Sequence, residues 1–436
     1  MAEVEVVTSE LVAPSEPTPR RALWLSNLDL SARNGYTPTV YFFRRGATGE
    51  EDDGFFSAEV LRAALARALV PFYPFAGSLG TGPDGRAEID CNDEGALFVV
   101  ARSTAALDEY CEGFAPSTKM GDLFVPKSES ADGRAPLLML QVTLFRCGGV
   151  ALGTAMHHFV MDGRSAFHFI RTWAGLTRGA SGTLFAPPSL DRTPLRARAP
   201  ATVLFDHTRE YGGGSAVGND KPAAEYASAI LRVTGAQVAS LRARAGGPYV
   251  SAFRALAAHA WRCACAARRL PRDAESRLYT MIDMRARLSP PLPDHYFGNA
   301  VARASTSARV GDLLLDGHGG LAAAARRLRG ATGHGDAYAR SLLDYLEVRD
   351  MAALPRGGIA GTDLRVISWL GMPSYDADFG WGEPALLAPA LMYYTGFVYL
   401  LSCPGKEGGV AVAIALEPDR IERFKELFFE DLAAME

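Results

Sequence analysis

The sequence predicts an α/β protein built as two similar halves, and three observations carry that expectation. Strand-like segments, alternating in hydrophobicity or continuously apolar, recur along the chain with amphipathic helices between them. The order of strands and interleaved helices looks alike on the two sides of residues 186–224. That intervening stretch is rich in Pro, Gly and Arg and includes Gly212-Gly213-Gly214-Ser215, the composition of a linker. A chain of 436 residues fits two to three domains of roughly 150 residues each, or one large pseudo-symmetric pair. The expected division is a first domain over 1–190, a crossover linker over 191–224 and a second domain over 225–436.

Taken in order, residues 4–11 read as a first strand, followed by a loop with Pro14, Pro17 and Pro19. Residues 37–43 alternate aromatic and β-branched side chains and read as a second strand. Val60, Leu61, Ala64, Leu65 and Ala68 recur at helical spacing, so 57–68 is expected to be an amphipathic helix. It is broken at residues 70–77. Residues 86–91 and 96–101 are expected to form one hairpin, and 137–145 and 150–156 a second, turning at Cys147-Gly148-Gly149. A helix over 164–177 follows, with Ala166, Phe169, Ile170, Trp173 and Leu176 on one face. Beyond the linker, strands are expected at 229–233, 278–283, 301–306, 364–368, 396–402 and 410–416. Helices are expected at 236–243, 251–268, 321–329, 337–347 and 418–432.

Composition narrows the class. Apolar residues make up 48% and charged residues 22%, enough to bury a core and unlike a disordered or fibrous chain. The net charge of −4 gives no electrostatic footprint for nucleic acid, and no basic stripe marks an anionic membrane surface. No apolar run reaches the ~18–20 residues of a membrane span. The acidic, alternating start Met1-Ala2-Glu3-Val4-Glu5 resembles neither a signal nor a transit peptide, so a cytoplasmic location is expected. Six scattered cysteines without a CxxC pair read as reduced thiols rather than a zinc ribbon.

The sharpest chemical feature is His157-His158-Phe159-Val160-Met161-Asp162-Gly163, between a strand and a helix. Loops in that position present functional groups, and a histidine with pKa near ~6.5 suits general-base work at neutral pH. Gly163 is expected to permit a tight turn. From spacing alone the alternatives stay open: His158 as base, both histidines as core residues, or His157, His158 and Asp162 as metal ligands. A second feature, residues 376–384, reads as a Gly- and Pro-punctuated loop with an aromatic anchor and is expected to be structural. No kinase, phosphate-cradle or GxSxG nucleophile-elbow pattern accompanies it.

The two features together, His158-xxx-Asp162-Gly163 and then Asp378-Phe379-Gly380-Trp381-Gly382, resemble the motifs of the plant BAHD acyl-CoA-dependent acyltransferases. The resemblance runs through the chain, at residues 21–27, 70–77, 261–265, Tyr296-Phe297-Gly298-Asn299 and 343–347. It is most similar to the hydroxycinnamoyl-CoA shikimate/quinate hydroxycinnamoyltransferase branch.

That resemblance implies two chloramphenicol-acetyltransferase-like domains, mixed β-sheets flanked by helices, with a solvent channel between them. It implies direct transfer of an acyl group from CoA to an acceptor, His158 acting as general base, with no metal and no cofactor beyond the CoA thioester substrate. Asp162 and Arg285 are expected to pair structurally, beside Gly163, and Asp378, Gly380, Trp381 and Gly382 to shape the fold. The resemblance further implies acceptor contacts from Tyr36, Thr39, Tyr41, Arg356, Ile367, Trp369 and Glu383, and CoA contacts from Ser251 and Phe253. Tyr36, Ile367 and Glu383 depart from the shikimate pattern, each removing polarity or replacing positive charge by negative. The expected substrates are therefore hydroxycinnamoyl-CoA and a small polar acceptor, leaning to an amine such as putrescine or agmatine. O-acylation of shikimate or quinate is the alternative, and a non-catalytic CoA-ester-binding relative is the outside one. The protein is expected to act as a monomer.

Overall fold

Two six-stranded mixed sheets organise the chain, one in each of two units. The computed structural model describes residues 3–45, 56–127, 135–179, 185–212, 225–315, 319–355, 357–405 and 408–433. The first unit comprises Met1–Arg196, Leu292–Ala300 and Met372–Leu391, and the second Ala197–Pro291, Val301–Gly371 and Met392–Glu436.

In the first unit the strands lie in the order Val4–Val12, Ala96–Ser103, Leu138–Phe145, Val150–His157, Tyr36–Phe43 and Leu386–Pro389. All neighbours are antiparallel except Ala96–Ser103 beside Leu138–Phe145. Val150–His157 is buried along its whole length, which explains why it reads as a continuous apolar run. Its register with Tyr36–Phe43 sets Tyr36 opposite His157 and Thr39 opposite Thr154. The helix Gly163–Thr177 then buries Phe167, Phe169, Ile170 and Trp173.

In the second unit the order is Val301–Arg309, Glu275–Asp283, Leu364–Ser368, Phe397–Ser402, Val410–Leu416 and Ala227–Val233. Its core gathers around the helix Ala252–Ala267, whose alanines favour helix and let neighbours approach closely. Trp261, fully buried there, donates its indole N–H to Ser276 Oγ at 2.7 Å.

Three expectations need correction. Residues 86–91 and 96–101 do not pair. Ala87–Asp90 has both edges taken by Ala22–Trp24 and Ser78–Thr81 in a separate three-stranded sheet, while Ala96–Ser103 joins the main one. Proximity in sequence does not choose a strand's partner when better edges exist elsewhere. Nor does one cut separate the units. Leu292–Ala300 and Met372–Leu391 come from the C-terminal half yet belong to the first unit, where Leu386–Pro389 completes the sheet against Tyr36–Phe43. The third concerns the linker, of which residues 213–224 lie outside the described residues. Its earlier part is not loose: buried Asp344 accepts the N–H groups of Arg198 and Thr202, and Ser341 Oγ those of Leu204 and Phe205. All of these residues belong to the second unit.

Candidate active site

His157 and His158 sit where Val150–His157 ends and the chain turns toward the helix Gly163–Thr177. His157 is the last residue of the strand and His158 opens the turn. His157 faces Tyr36, ring edge to ring at 5.2 Å, and its Nδ1 accepts the Phe159 N–H at 3.3 Å. It is 5% exposed, and burial lowers its pKa to about 4, so it is neutral at pH 7. Tyr36 donates its hydroxyl to Pro136 O at 2.8 Å, and burial raises its pKa to about 12.

His158 is half-buried, with its Nδ1 enclosed. Burial also lowers its pKa, against the opposing pull of its own carbonyl, the Asp162 charge and the Asn299 side chain. A neutral, half-buried imidazole is able to accept a proton. Its backbone is held on both sides. His158 N–H donates to Gly35 O at 2.9 Å, and Asn299 Nδ2 donates to His158 O at 2.8 Å.

Asp162 is the N-cap of the following helix, accepting Ser165 N–H at 3.1 Å, and its other oxygen accepts Ala300 N–H at 3.0 Å. Ser165 Oγ bonds to Gly298 O at 3.0 Å, so this helix start grips residues 298–300. Gly163 is the first helical residue and takes no left-handed conformation, so its expected turn role is corrected: the cap geometry of Asp162 makes the bend. Arg285 belongs to the second unit, is 2% exposed and pairs with Asp283 at 3.3 Å.

Sequence reasoning did not find the residue that ties this loop together. Asp29, fully buried, accepts Asn299 N–H at 2.7 Å and Asn299 Nδ2 at 3.0 Å on one oxygen. Its other oxygen accepts Ser26 N–H and Oγ, each at 2.8 Å, and Arg192 Nε at 3.0 Å. Arg192 in turn donates to Val160 O at 3.3 Å. Asp29 thereby controls two carbonyls of the 158–160 turn through two intermediaries. The signal was the capping box Ser26-Asn27-Leu28-Asp29, a short polar pattern inside an apolar run.

The second motif forms its own cluster. Asp378 Oδ1 accepts the N–H groups of Gly380 and Gly382 at 2.8 and 3.0 Å, and Arg178 pairs with the same carboxylate. Both glycines have φ near +100° (103° and 102°), which side-chain-bearing residues rarely adopt. Phe379, 1% exposed, packs against Trp173, and Trp381 lies 4.7 Å from the Phe56 ring. Glu383 follows, exposed.

The remaining expected residues are dispersed. Thr39 shares a hydrogen bond with Thr154 at 2.6 Å, and Tyr41 is 2% exposed two positions further along the strand. In the second unit Ile367 pairs in register with Tyr399, whose ring lies 4.8 Å from Trp369. Arg356 lies outside the described residues. Ser251 caps the helix Ala252–Ala267, with half-buried Phe253 following. Beside them Tyr249, Arg254, Arg329, Thr332 and Gly333 line an open cleft of about 600 Å³. The metal reading of His157, His158 and Asp162 gains no support, since His157 Nδ1 and both Asp162 oxygens are occupied by backbone N–H groups. Among the described residues no helix is long and apolar enough to cross a membrane.

A profile of the Transferase family matches residues 2–431. The chain belongs to the BAHD family of acyl-CoA-dependent acyltransferases. This BAHD acyltransferase is 45% identical to putrescine hydroxycinnamoyltransferase 1 of Oryza sativa subsp. japonica, covering 98% of this chain and 99% of the relative. It is 42% identical to the hydroxycinnamoyl-CoA:5-hydroxyanthranilate N-hydroxycinnamoyltransferase of Avena sativa, over 97% and 99%. The shikimate O-hydroxycinnamoyltransferase of Nicotiana tabacum is 39% identical over 98% and 100%. Among solved structures, vinorine synthase shares the fold with a TM-score of 0.75 at 21% identity, covering 96% of each chain.

Proposed function

We propose that this enzyme transfers a hydroxycinnamoyl group, such as p-coumaroyl, caffeoyl or feruloyl, from its CoA thioester to a small amine. His158 is the general base. What carries the reading is a neutral, half-buried His158 pinned at a strand end, in a chain similar along its whole length to N-acylating relatives. As the acceptor nitrogen attacks the thioester carbonyl, its proton passes to His158. The tetrahedral intermediate collapses, the C–S bond breaks, and the proton moves on to the departing thiolate. Base assistance contributes about 10²–10⁴-fold, and orientation of two bound substrates contributes more. Arg254 and Arg329 beside the Ser251 cap provide positive charge and N–H donors suited to the phosphates of CoA. Exposed Glu383 and the tied-off Tyr36 hydroxyl favour a cation over a carboxylate at the acceptor.

Transfer to shikimate or quinate by the same chemistry is the second reading, supported by the tobacco relative. The test is incubation with p-coumaroyl-CoA and putrescine, agmatine, shikimate or quinate, following thiol release and product mass. Amide products with kcat/KM at least equal to those of the alcohols support the proposal. A tenfold preference for shikimate at both pH 7 and pH 9 overturns the amine reading, and absence of turnover with every acceptor overturns the enzymatic one.

A further inference from the structure

The second unit holds a buried histidine that acyl transfer does not use. His259 and Cys263 stand one turn apart on the helix Ala252–Ala267, spaced to share a face, and both are buried. Asp431, from the C-terminal helix Ile421–Ala433, meets them there, half-buried. His259 Nε2 lies 3.0 Å from the Phe428 carbonyl. A carbonyl only accepts, so Nε2 carries the ring proton and Nδ1 keeps a lone pair. That lone pair lies 3.8 Å from Asp431 Oδ2, and Cys263 Sγ lies 3.8 Å from both ring nitrogens. One ligand atom from each residue falls within 4.8 Å of the other two. Burial holds the imidazole below the usual histidine range, so a proton does not bridge Nδ1 and the carboxylate at pH 7. Two electron-rich atoms thus face each other beside a thiol, an arrangement that a cation resolves.

We infer that His259 Nδ1, Cys263 Sγ and Asp431 form a binding site for a zinc-like divalent cation, which braces the C-terminal helix against Ala252–Ala267. One nitrogen, one sulfur and one oxygen are the donor set of a borderline-soft ion and not of Mg²⁺ or Ca²⁺. Zinc bond lengths at a tetrahedral angle put ligand atoms about 3.3–3.6 Å apart, so the three side chains close by a few tenths of an ångström or more. The His259 bond to Phe428 O is the outer contact that orients a ligating imidazole. Burial pushes the Cys263 thiol up, so it binds as a thiolate only by losing its proton to solvent as the metal arrives. Thiolate and carboxylate together balance the two charges of the ion. Arg262 and Arg244 are the cations nearby and oppose it. Arg262 Nη1 lies 3.5 Å from Asp431 Oδ2, but a carboxylate has two oxygens and can serve a guanidinium and a metal at once. Arg244 donates to the Asp431 carbonyl at 3.1 Å and fixes the backbone there. Asp431 is the open side of the site, where water completes the tetrahedron. The ion takes no part in acyl transfer, and this inference is independent of the His158 assignment.

The test uses the full-length protein, stripped with a chelator and dialysed against Zn²⁺ alone. Wild type is expected to bind one equivalent more than Cys263→Ala, and equal zinc in the two means adventitious binding only and overturns the site. X-ray absorption of the wild-type zinc complex is expected to show one sulfur at about 2.3 Å and nitrogen or oxygen ligands at about 2.0–2.2 Å. A shell without sulfur overturns the inference whatever the variants do. Asp431→Asn is expected to weaken zinc binding at least tenfold, and wild-type affinity in that variant overturns the three-ligand site. Amide exchange across Ile421–Ala433 reads the brace. Opening of that helix breaks the site, so exchange is expected to slow about tenfold at a zinc concentration ten times Kd. Unchanged exchange there overturns the bracing role. Should Cys263→Ala fail to fold, the absorption spectrum of wild type and the Asp431→Asn titration decide the question.

Discussion

Arg192 and Asp29 form an ion pair, 3.0 Å from Nε to Oδ2, in which both side chains are withdrawn from water (2% and 0% exposed). The pair joins the short capped helix Asn27–Ser31 to the segment that follows the helix Gly163–Thr177, and it holds Val160 O as well. Breaking a buried pair from one side leaves an uncompensated charge, costing about 3–5 kcal/mol. Arg192→Met is therefore expected to lower stability by that amount in chemical denaturation. Arg192→Met with Asp29→Leu is expected to cost less than the sum of the single changes, and strict additivity of the two contradicts the pairing.

For the two adjacent histidines the expectations diverge. His158→Ala is expected to reduce kcat by 10²-fold or more, in line with the ~10²–10⁴-fold worth of general-base catalysis, with an unchanged unfolding midpoint. His157→Ala is expected to lose about 1–3 kcal/mol of stability through its contacts with Tyr36 and Phe159, with the smaller effect on kcat. Steady-state kinetics and denaturation of both variants check the split.

Stability is expected to fall on acidification between roughly pH 6.5 and pH 4, ahead of most carboxylate titration. His157 and His207 both have pKa values lowered to about 4 by burial. In that window the unfolded chain binds protons that the folded one refuses, so the unfolded state gains. For His157 alone the contribution present above pH 6.5 and lost by pH 4 is about 3 kcal/mol. His157→Gln is expected to flatten this part of the profile, and an unchanged slope contradicts the burial of a neutral ring.

The pH dependence of the rate separates acceptor types. His158 titrates below the ordinary histidine range, so a hydroxyl acceptor is expected to reach its plateau by about pH 7. An aliphatic amine, with a pKa near that of lysine, ~10.4, has little free base at pH 7, so its rate is expected to climb through pH 9. Equal pH profiles for putrescine and shikimate contradict this.

Phe379→Ala is expected to destabilise by about 3–5 kcal/mol, because the ring is 1% exposed among Phe43, Phe56 and Trp173. Arg254→Glu is expected to raise the KM for p-coumaroyl-CoA about tenfold, the equivalent of one lost charged hydrogen bond, with kcat nearly intact. Unfolding curves and initial rates test the pair of expectations.

Local pattern by itself determined most of the elements. Val150–His157 and Val410–Leu416 are apolar runs buried end to end, and Gly163–Thr177 and Ala252–Ala267 carry caps and periodicity that need no distant partner to be read. Two short motifs with fixed spacing were enough to draw attention to His158 and to the loop at Asp378. Only tertiary structure decided which strands pair, that residues 292–300 and 372–391 belong with the first unit, and that Asp29, Arg192 and Asn299 surround the histidine loop. The reason is physical. Helix and strand periodicity is written in neighbours a few positions apart, whereas a buried carboxylate must find its donors wherever the fold delivers them. Asp29 draws one from position 192 and two from position 299, and no local signal in the chain records that meeting.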